Sequence, residues 1–291
     1  MVGAFLRALR PKQWLKNGIV FAGVIFAQKV GDPQADRLAI WAFILFCLLS
    51  SAVYLVNDLV DLKSDRLHPL KRHRPLASGA LPVSVGVAAA AVFGVGALAA
   101  SFAVNVPFGW LAGAYVALNL AYSFGLKHVV IVDVFAVALG FVIRAAAGAE
   151  AIQVTISPWL LICTVLLALF LALSKRRHEL VLLEGNAGDH RRSLAEYSPY
   201  LLDQMIAVVT ASTVVSYSIY TMWPETVRKF HTQSMIYTVP FVIFGIFRYL
   251  YLIHQREEGG APEKIPLSDV PMIVNLLLWL ATVALIVYGP L

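Results

Sequence analysis

Apolar residues in this chain come in runs of about 20, divided by short charged stretches, and a run of that length crosses the hydrocarbon as an α-helix. The pattern predicts nine spans, near residues 15–30, 38–62, 83–104, 108–126, 129–150, 157–180, 200–222, 234–255 and 269–289. Pro82, Pro107, Pro158, Pro199 and Pro271 stand at or just before expected helix starts, where the missing amide proton does no harm. The expected architecture is therefore all-α: one polytopic transmembrane domain over 1–291, with no inserted soluble domain. Its longest connections, 63–82 and 175–199, are the loops expected to carry chemistry.

Composition agrees with a membrane rather than a soluble chain. Hydrophobic residues make up 59% of the sequence and charged residues only 14%, too few to cover a water-facing surface. Of the 23 Lys and Arg, seventeen fall on one set of alternate loops. Lys29, Arg37, Arg228 and Lys229 fall on the other set, and Arg144 and Arg248 lie in or near spans. That bias places the N-terminus and the loops after spans 2, 4, 6 and 8 in the cytoplasm, and the C-terminus outside. The net charge of +6 thus reports topology and not nucleic acid. Cys47 and Cys163 sit inside apolar runs and read as core.

Chemistry concentrates at the end of the second span, in Asn57, Asp58, Asp61 and Asp65. At about 100° per residue these four fall within roughly a quarter of the helix circumference. Three carboxylates so close repel one another, and a divalent cation relieves the repulsion. Hard oxygen donors suit Mg²⁺, with Mn²⁺ as a substitute. The competing reading is a solvated helix end whose aspartates pair with Lys63, Arg66 and Arg72. The following loop brings Lys71, Arg72 and Arg74 next to the acids, and acid plus metal opposite fixed cations is how a diphosphate is held and released.

Other polar residues are candidates by position. Lys16 and Asn17, with Gln13, begin span 1 at the depth of the acidic motif, beside Trp14, which reads as an interfacial anchor. Tyr54 precedes the motif by one turn. Tyr122 and Lys127 close span 4 on the same side. Asp133 and Arg144 lie within span 5, too far apart to pair; Asp133 suits a polar cavity and Arg144 a helix-end carbonyl. Lys175 and Glu179 are one turn apart, able to salt-bridge each other or to meet substrate. Arg191, Arg192, Glu196 and Tyr197 belong to a loop suited to capping a pocket.

The Asn-Asp-x-x-Asp-x-x-x-Asp pattern on a membrane helix resembles the UbiA superfamily of intramembrane prenyltransferases. That resemblance implies a nine-helix bundle and a Mg²⁺-bound diphosphate. Members carry a second acidic motif after helix 6, where this chain has Ser174-Lys175-Arg176-Arg177-His178-Glu179-Leu180, mostly basic. This stretch, with the blocks at 10–17, 52–58, 68–75, 121–128, 144–148 and 192–197, is similar to the branch that transfers phosphoribose to decaprenyl phosphate. The implied reaction joins phosphoribosyl pyrophosphate to a polyprenyl phosphate, with Asp58, Asp61 and Asp65, assisted by Asn57, on the metal and Lys175 and Arg176 neutralising a phosphate. An ordinary prenyl transfer to an aromatic or other small acceptor is the alternative. A transporter would show inverted repeats, and none is apparent.

Overall fold

The computed structural model describes residues 1–69, 71–182, 192–256 and 268–288, and among them there is no strand. Arg191 and Lys264, counted above for orientation, lie outside the described residues, as does the middle of the expected 175–199 loop. The helices are α1 (Val2–Ala8), α2 (Ala22–Phe26), α3 (Pro33–Val60), α4 (Leu62–Leu67), α5 (Val83–Val104), α6 (Val106–Phe124), α7 (Val132–Ala151) and α8 (Pro158–Leu182). After them come α9 (Arg192–Ala195), α10 (Pro199–Met222), α11 (Pro224–Phe230), α12 (Val239–Gln255) and α13 (Val270–Tyr288).

Helix starts follow local chemistry. The Asp32 carboxylate accepts the amides of Gln34 and Ala35 at 3.0 and 3.4 Å, with Pro33 as the first residue of α3. Asn105 caps α6 by accepting from Phe108 N–H at 2.8 Å, and Ser198 caps α10 by accepting from Leu201 N–H at 3.1 Å.

Seven helices, including those of 33–60, 83–104 and 132–151, are long and apolar enough to cross a membrane. The fourth expected span exists as the 19-residue α6 but is not among them, because Trp110, Asn119 and Tyr122 dilute its hydropathy. The first is not a continuous α-helix. Pro11–Phe21 winds as a 3₁₀ helix, followed by five residues of α2. This stretch packs closely against α7. A Cβ on Gly148 would stand 2.0 Å from the Val20 carbonyl oxygen, and one on Gly23 would stand 2.8 Å from Ala149 Cα.

The chain packs as two compact units. The first comprises Met1–Lys127 and Leu139–Ile156; the second comprises His128–Ala138 and Ser157–Leu291. The first unit's core joins Ala42, Phe46, Leu49 and Val53 of α3 to Phe108, Ala112 and Tyr115 of α6 and to Ile143, Ala147 and Ala151 of α7. A smaller cluster buries Leu76 and Leu81 against Leu55 and Ala8. That cluster anchors the loop after α4 from within and fixes where Arg74 stands.

Candidate functional site

In the first unit the acidic motif lies where α3 ends. The helix breaks at Asp61 and resumes as α4, yet the Asp65 amide still donates to the Asp61 carbonyl at 2.8 Å. The turn therefore carries through, and Asp58 and Asp65 come to the same side.

Each carboxylate meets a cation from another segment. Asp58, 2% exposed, accepts on Oδ1 from Arg10 Nη2 at 2.5 Å and from Arg74 Nη1 at 3.0 Å. The same Arg74 nitrogen donates to Asp65 Oδ2 at 2.7 Å, tying the two acids together. Asp61 accepts from Lys127 Nζ at 2.6 Å and from Asn57 Nδ2 at 3.2 Å. In place of Lys63, Arg66 and Arg72, the partners of the competing reading, the cations come from 9 to 66 residues away in sequence. Arg72 is exposed and Lys71 half-buried, while Lys127 is buried.

Arg10 reaches the motif because its own backbone is left-handed (φ 53°, ψ 58°), at the junction of α1 and the 3₁₀ segment. Its guanidinium lies over the Tyr54 ring, 4.9 Å from the centroid. From the sequence, Arg10 enters as topology charge and as the first residue of the 10–17 block, and not as a site residue. Its one sequence signal was an Arg-Pro step ahead of a membrane span.

The donor set is chemically suited to a hard divalent cation, being three carboxylates and a carboxamide with oxygen ligands only. As the side chains stand, no three of the described His, Cys, Asp or Glu residues converge as a metal site. The carboxylates are turned onto protein cations, and three acids face three cations at net zero charge.

Asn17, expected near substrate or headgroups, is fully buried. It donates to Ser50 Oγ at 3.2 Å and Cys47 Sγ at 3.4 Å, and accepts from Arg144 Nε at 2.8 Å. Arg144 was expected on a helix-end carbonyl. Instead it binds Asn17 and the Tyr115 hydroxyl, because the small residues after it let α7 approach the 3₁₀ segment. Trp14 donates to Ser51 Oγ at 3.0 Å, and Lys16, Tyr54 and Tyr122 are half-buried.

The second unit holds a different charge group. Asp133 is wholly buried and accepts from Arg176 Nε at 3.0 Å and from the Tyr197 hydroxyl at 2.9 Å. Arg176 also pairs with Glu179. The Tyr197 hydroxyl in turn accepts the Ile131 amide at 2.7 Å, at a β-branched residue held at φ 69°. Burial pushes the Tyr197 phenol up to about 12, so it remains a donor. Lys175 and Glu179 are half-buried on the last turns of α8. Arg177 and His254 both contact Asp203, at 2.5 and 3.2 Å.

Fold and site together define a polytopic α-helical membrane protein built around an acidic helix end and its countercations. The chain belongs to the UbiA prenyltransferase family, whose model matches residues 18–265. It is 34% identical to decaprenyl-phosphate phosphoribosyltransferase of Corynebacterium glutamicum, over 99% of this chain and 88% of that protein. The enzyme of the same name from Mycobacterium tuberculosis is also 34% identical, over 99% and 96%. Among solved structures, a UbiA homologue from Archaeoglobus fulgidus bound to GPP and Mg²⁺ superposes with a TM-score of 0.73 at 19% identity, covering 98% of this chain and 99% of that one.

Proposed function

We propose that this protein transfers the 5-phosphoribosyl group of phosphoribosyl pyrophosphate to a polyprenyl phosphate, releasing pyrophosphate. The observation that carries the proposal is the near full-length similarity to two decaprenyl-phosphate phosphoribosyltransferases. The charge set of the acidic motif supports it.

Asn57, Asp58, Asp61 and Asp65 would hold Mg²⁺, which when bound supplies positive charge to the departing pyrophosphate. Arg10, Arg74 and Lys127, now on the carboxylates, would turn to phosphate oxygens once the acids take the metal. Lys71, Arg72, Lys16, Tyr54 and Tyr122 are proposed as further substrate contacts. So is Lys175, on the basic stretch that stands in place of the family's second acidic motif. Arg176 and Glu179 are proposed to support that stretch through their mutual pair and Asp133.

In the reaction the anionic oxygen of the lipid phosphate bonds to the ribose anomeric carbon as the carbon–oxygen bond to pyrophosphate breaks. The nucleophile is already ionised, so no general base is needed. The lysine and arginine bias supports a site that faces the cytoplasm from the inner membrane. The lipid tail stays in the bilayer.

The test is transfer of label from phosphoribosyl pyrophosphate into extractable polyprenyl lipid by detergent-purified protein, with Mg²⁺ and with EDTA. Metal-dependent labelling is expected. Labelling only when a radioactive prenyl diphosphate and an aromatic acceptor are offered would replace this reading with ordinary prenyl transfer.

A further inference from the structure

The guanidinium of Arg144 is used by nothing described so far. It is 6% exposed on a membrane-spanning helix, and among the described residues no carboxylate pairs with it. Its partners are neutral: Asn17 Oδ1 and the Tyr115 hydroxyl, both at 2.8 Å, and the rings of Tyr115 and Phe141 at 4.6 and 5.2 Å. Those hydrogen bonds use Nε and Nη2. Nη1 has no hydrogen-bond acceptor among the described residues, and it lies beside Gly140, where an added Cβ would stand 3.6 Å away. An ion held in a low-dielectric interior without a counterion is expensive, and intramembrane charges of this kind mark ligand paths.

A polar path leads from this group to the acidic motif. Cys47, Ser50, Tyr54, Asp58 and Asp61 recur at three- and four-residue spacing and share one face of α3. At its inner end Ser50 and Cys47 bind Asn17, which binds Arg144; at its outer end Arg10 covers Tyr54 and binds Asp58. The rise from Ser50 to Asp58 is about 12 Å. Ile152 packs against Ala35 and Ala39, so α3 and this part of α7 run antiparallel. Side chains lean toward their own helix N-terminus. Asp58 therefore leans toward Ser50, Arg144 leans back over Gly140 toward the motif, and the gap between the two shortens from both sides.

We propose that Arg144, with Asn17 and Tyr115, forms an anion subsite that receives the 5-phosphate of the sugar donor while its pyrophosphate lies on the acidic motif. The inference rests on the transfer reaction proposed above. A phosphoribosyl donor is the substrate that needs a second phosphate site one sugar away from the first. It would supply the counterion that Arg144 lacks.

The experiment compares two donors, phosphoribosyl pyrophosphate and the same ribosyl pyrophosphate without its 5-phosphate. They are offered to the wild type and to Arg144→Gln, Arg144→Lys and Tyr115→Phe. Arg144→Gln should lower kcat/KM for the phosphorylated donor by about 100-fold, chiefly through KM, because one partner of a buried charge pair is lost. The unphosphorylated donor should change less than about threefold, so discrimination collapses, and the KM for polyprenyl phosphate should hold. Arg144→Lys should keep part of the discrimination, and Tyr115→Phe should weaken it by a smaller factor. Equal losses on both donors, or a rise confined to the lipid phosphate KM, would overturn the proposal. If Arg144→Gln does not fold, unchanged discrimination in both other variants overturns it as well. No transfer by the wild type from either donor would instead remove the underlying reaction.

Discussion

Two of the buried charge groups described above, the acidic motif in the first unit and Asp133 in the second, are built on opposite plans. At the acidic motif three aspartates on one helix end borrow cations from three distant segments, and the bridging Arg74 is still 25% exposed. At Asp133 a single carboxylate is wholly buried, fixed by a 7% exposed Arg176 and by Tyr197, with both oxygens bonded. The first is the group proposed to exchange its partners with an incoming anion and metal. The second has no face to offer without first breaking. Sequence alone treats both as acids beside basic stretches; access and the number of committed oxygens tell them apart, and are the ground for proposing a working site at the first and a strut at the second.

The sharpest way to break that distinction is to neutralise one acid in each group. Asp58→Asn, Asp61→Asn or Asp65→Asn should each lower kcat by about 100-fold or more, the scale of losing an electrostatic stabiliser of a departing anion, while the protein keeps its melting temperature. Asp133→Asn should do the reverse. It strands Arg176 in a buried site, which costs roughly 3–5 kcal/mol of stability and shows as a large drop in Tm, with turnover per folded molecule far less affected. Near-wild-type turnover in two of the motif variants would end the metal-site reading. An unchanged Tm in Asp133→Asn would end the strut reading.

The acidic motif was legible because helical period alone puts Asn57, Asp58, Asp61 and Asp65 on one face, and the structure keeps Asp58 and Asp65 together even across the break at Asp61. Its countercations were not legible. Arg10 is 48 residues before Asp58 and Lys127 is 66 beyond Asp61, and only the folded chain supplies those contacts. The apolar pattern located every long span from 33 to 288, but it could not foresee the 3₁₀ winding at 11–21. That segment meets the backbone at Gly148, more than a hundred residues later. Arg144 was misread because its partners Asn17 and Tyr115 come from two other segments.

A finer probe of the exchangeable group is its affinity for metal without substrate. Arg74 bridges Asp58 and Asp65, and no other cation pairs with Asp65 among the described residues. Arg74→Gln therefore leaves two close carboxylates under-compensated, and Mn²⁺ binding to the donor-free protein, followed by electron paramagnetic resonance, should tighten by roughly tenfold even as turnover falls. Weaker Mn²⁺ binding in that variant would mean that Arg74 organises the acids for metal and does not compete with it.

The smallest expected effect belongs to the strut and appears only at high pH. Burial raises the Tyr197 phenol to about 12, while in the unfolded chain it titrates near its ordinary value of about 10. Between those values the folded protein retains a proton that the unfolded chain has released, so stability falls as pH rises through this window. Below about pH 10 the contribution is fully present. Removing the hydroxyl with Tyr197→Phe leaves Asp133 Oδ1 and the Ile131 amide without their shared partner, at a cost of about 1–3 kcal/mol at neutral pH. The variant should also lose this share of the alkaline decline. Plotting Tm against pH for both proteins should therefore give curves well separated at pH 7 that converge toward pH 12. Parallel curves would mean that the Tyr197 proton is not held by the fold, and the rigid plan assigned to Asp133 would lose its third member.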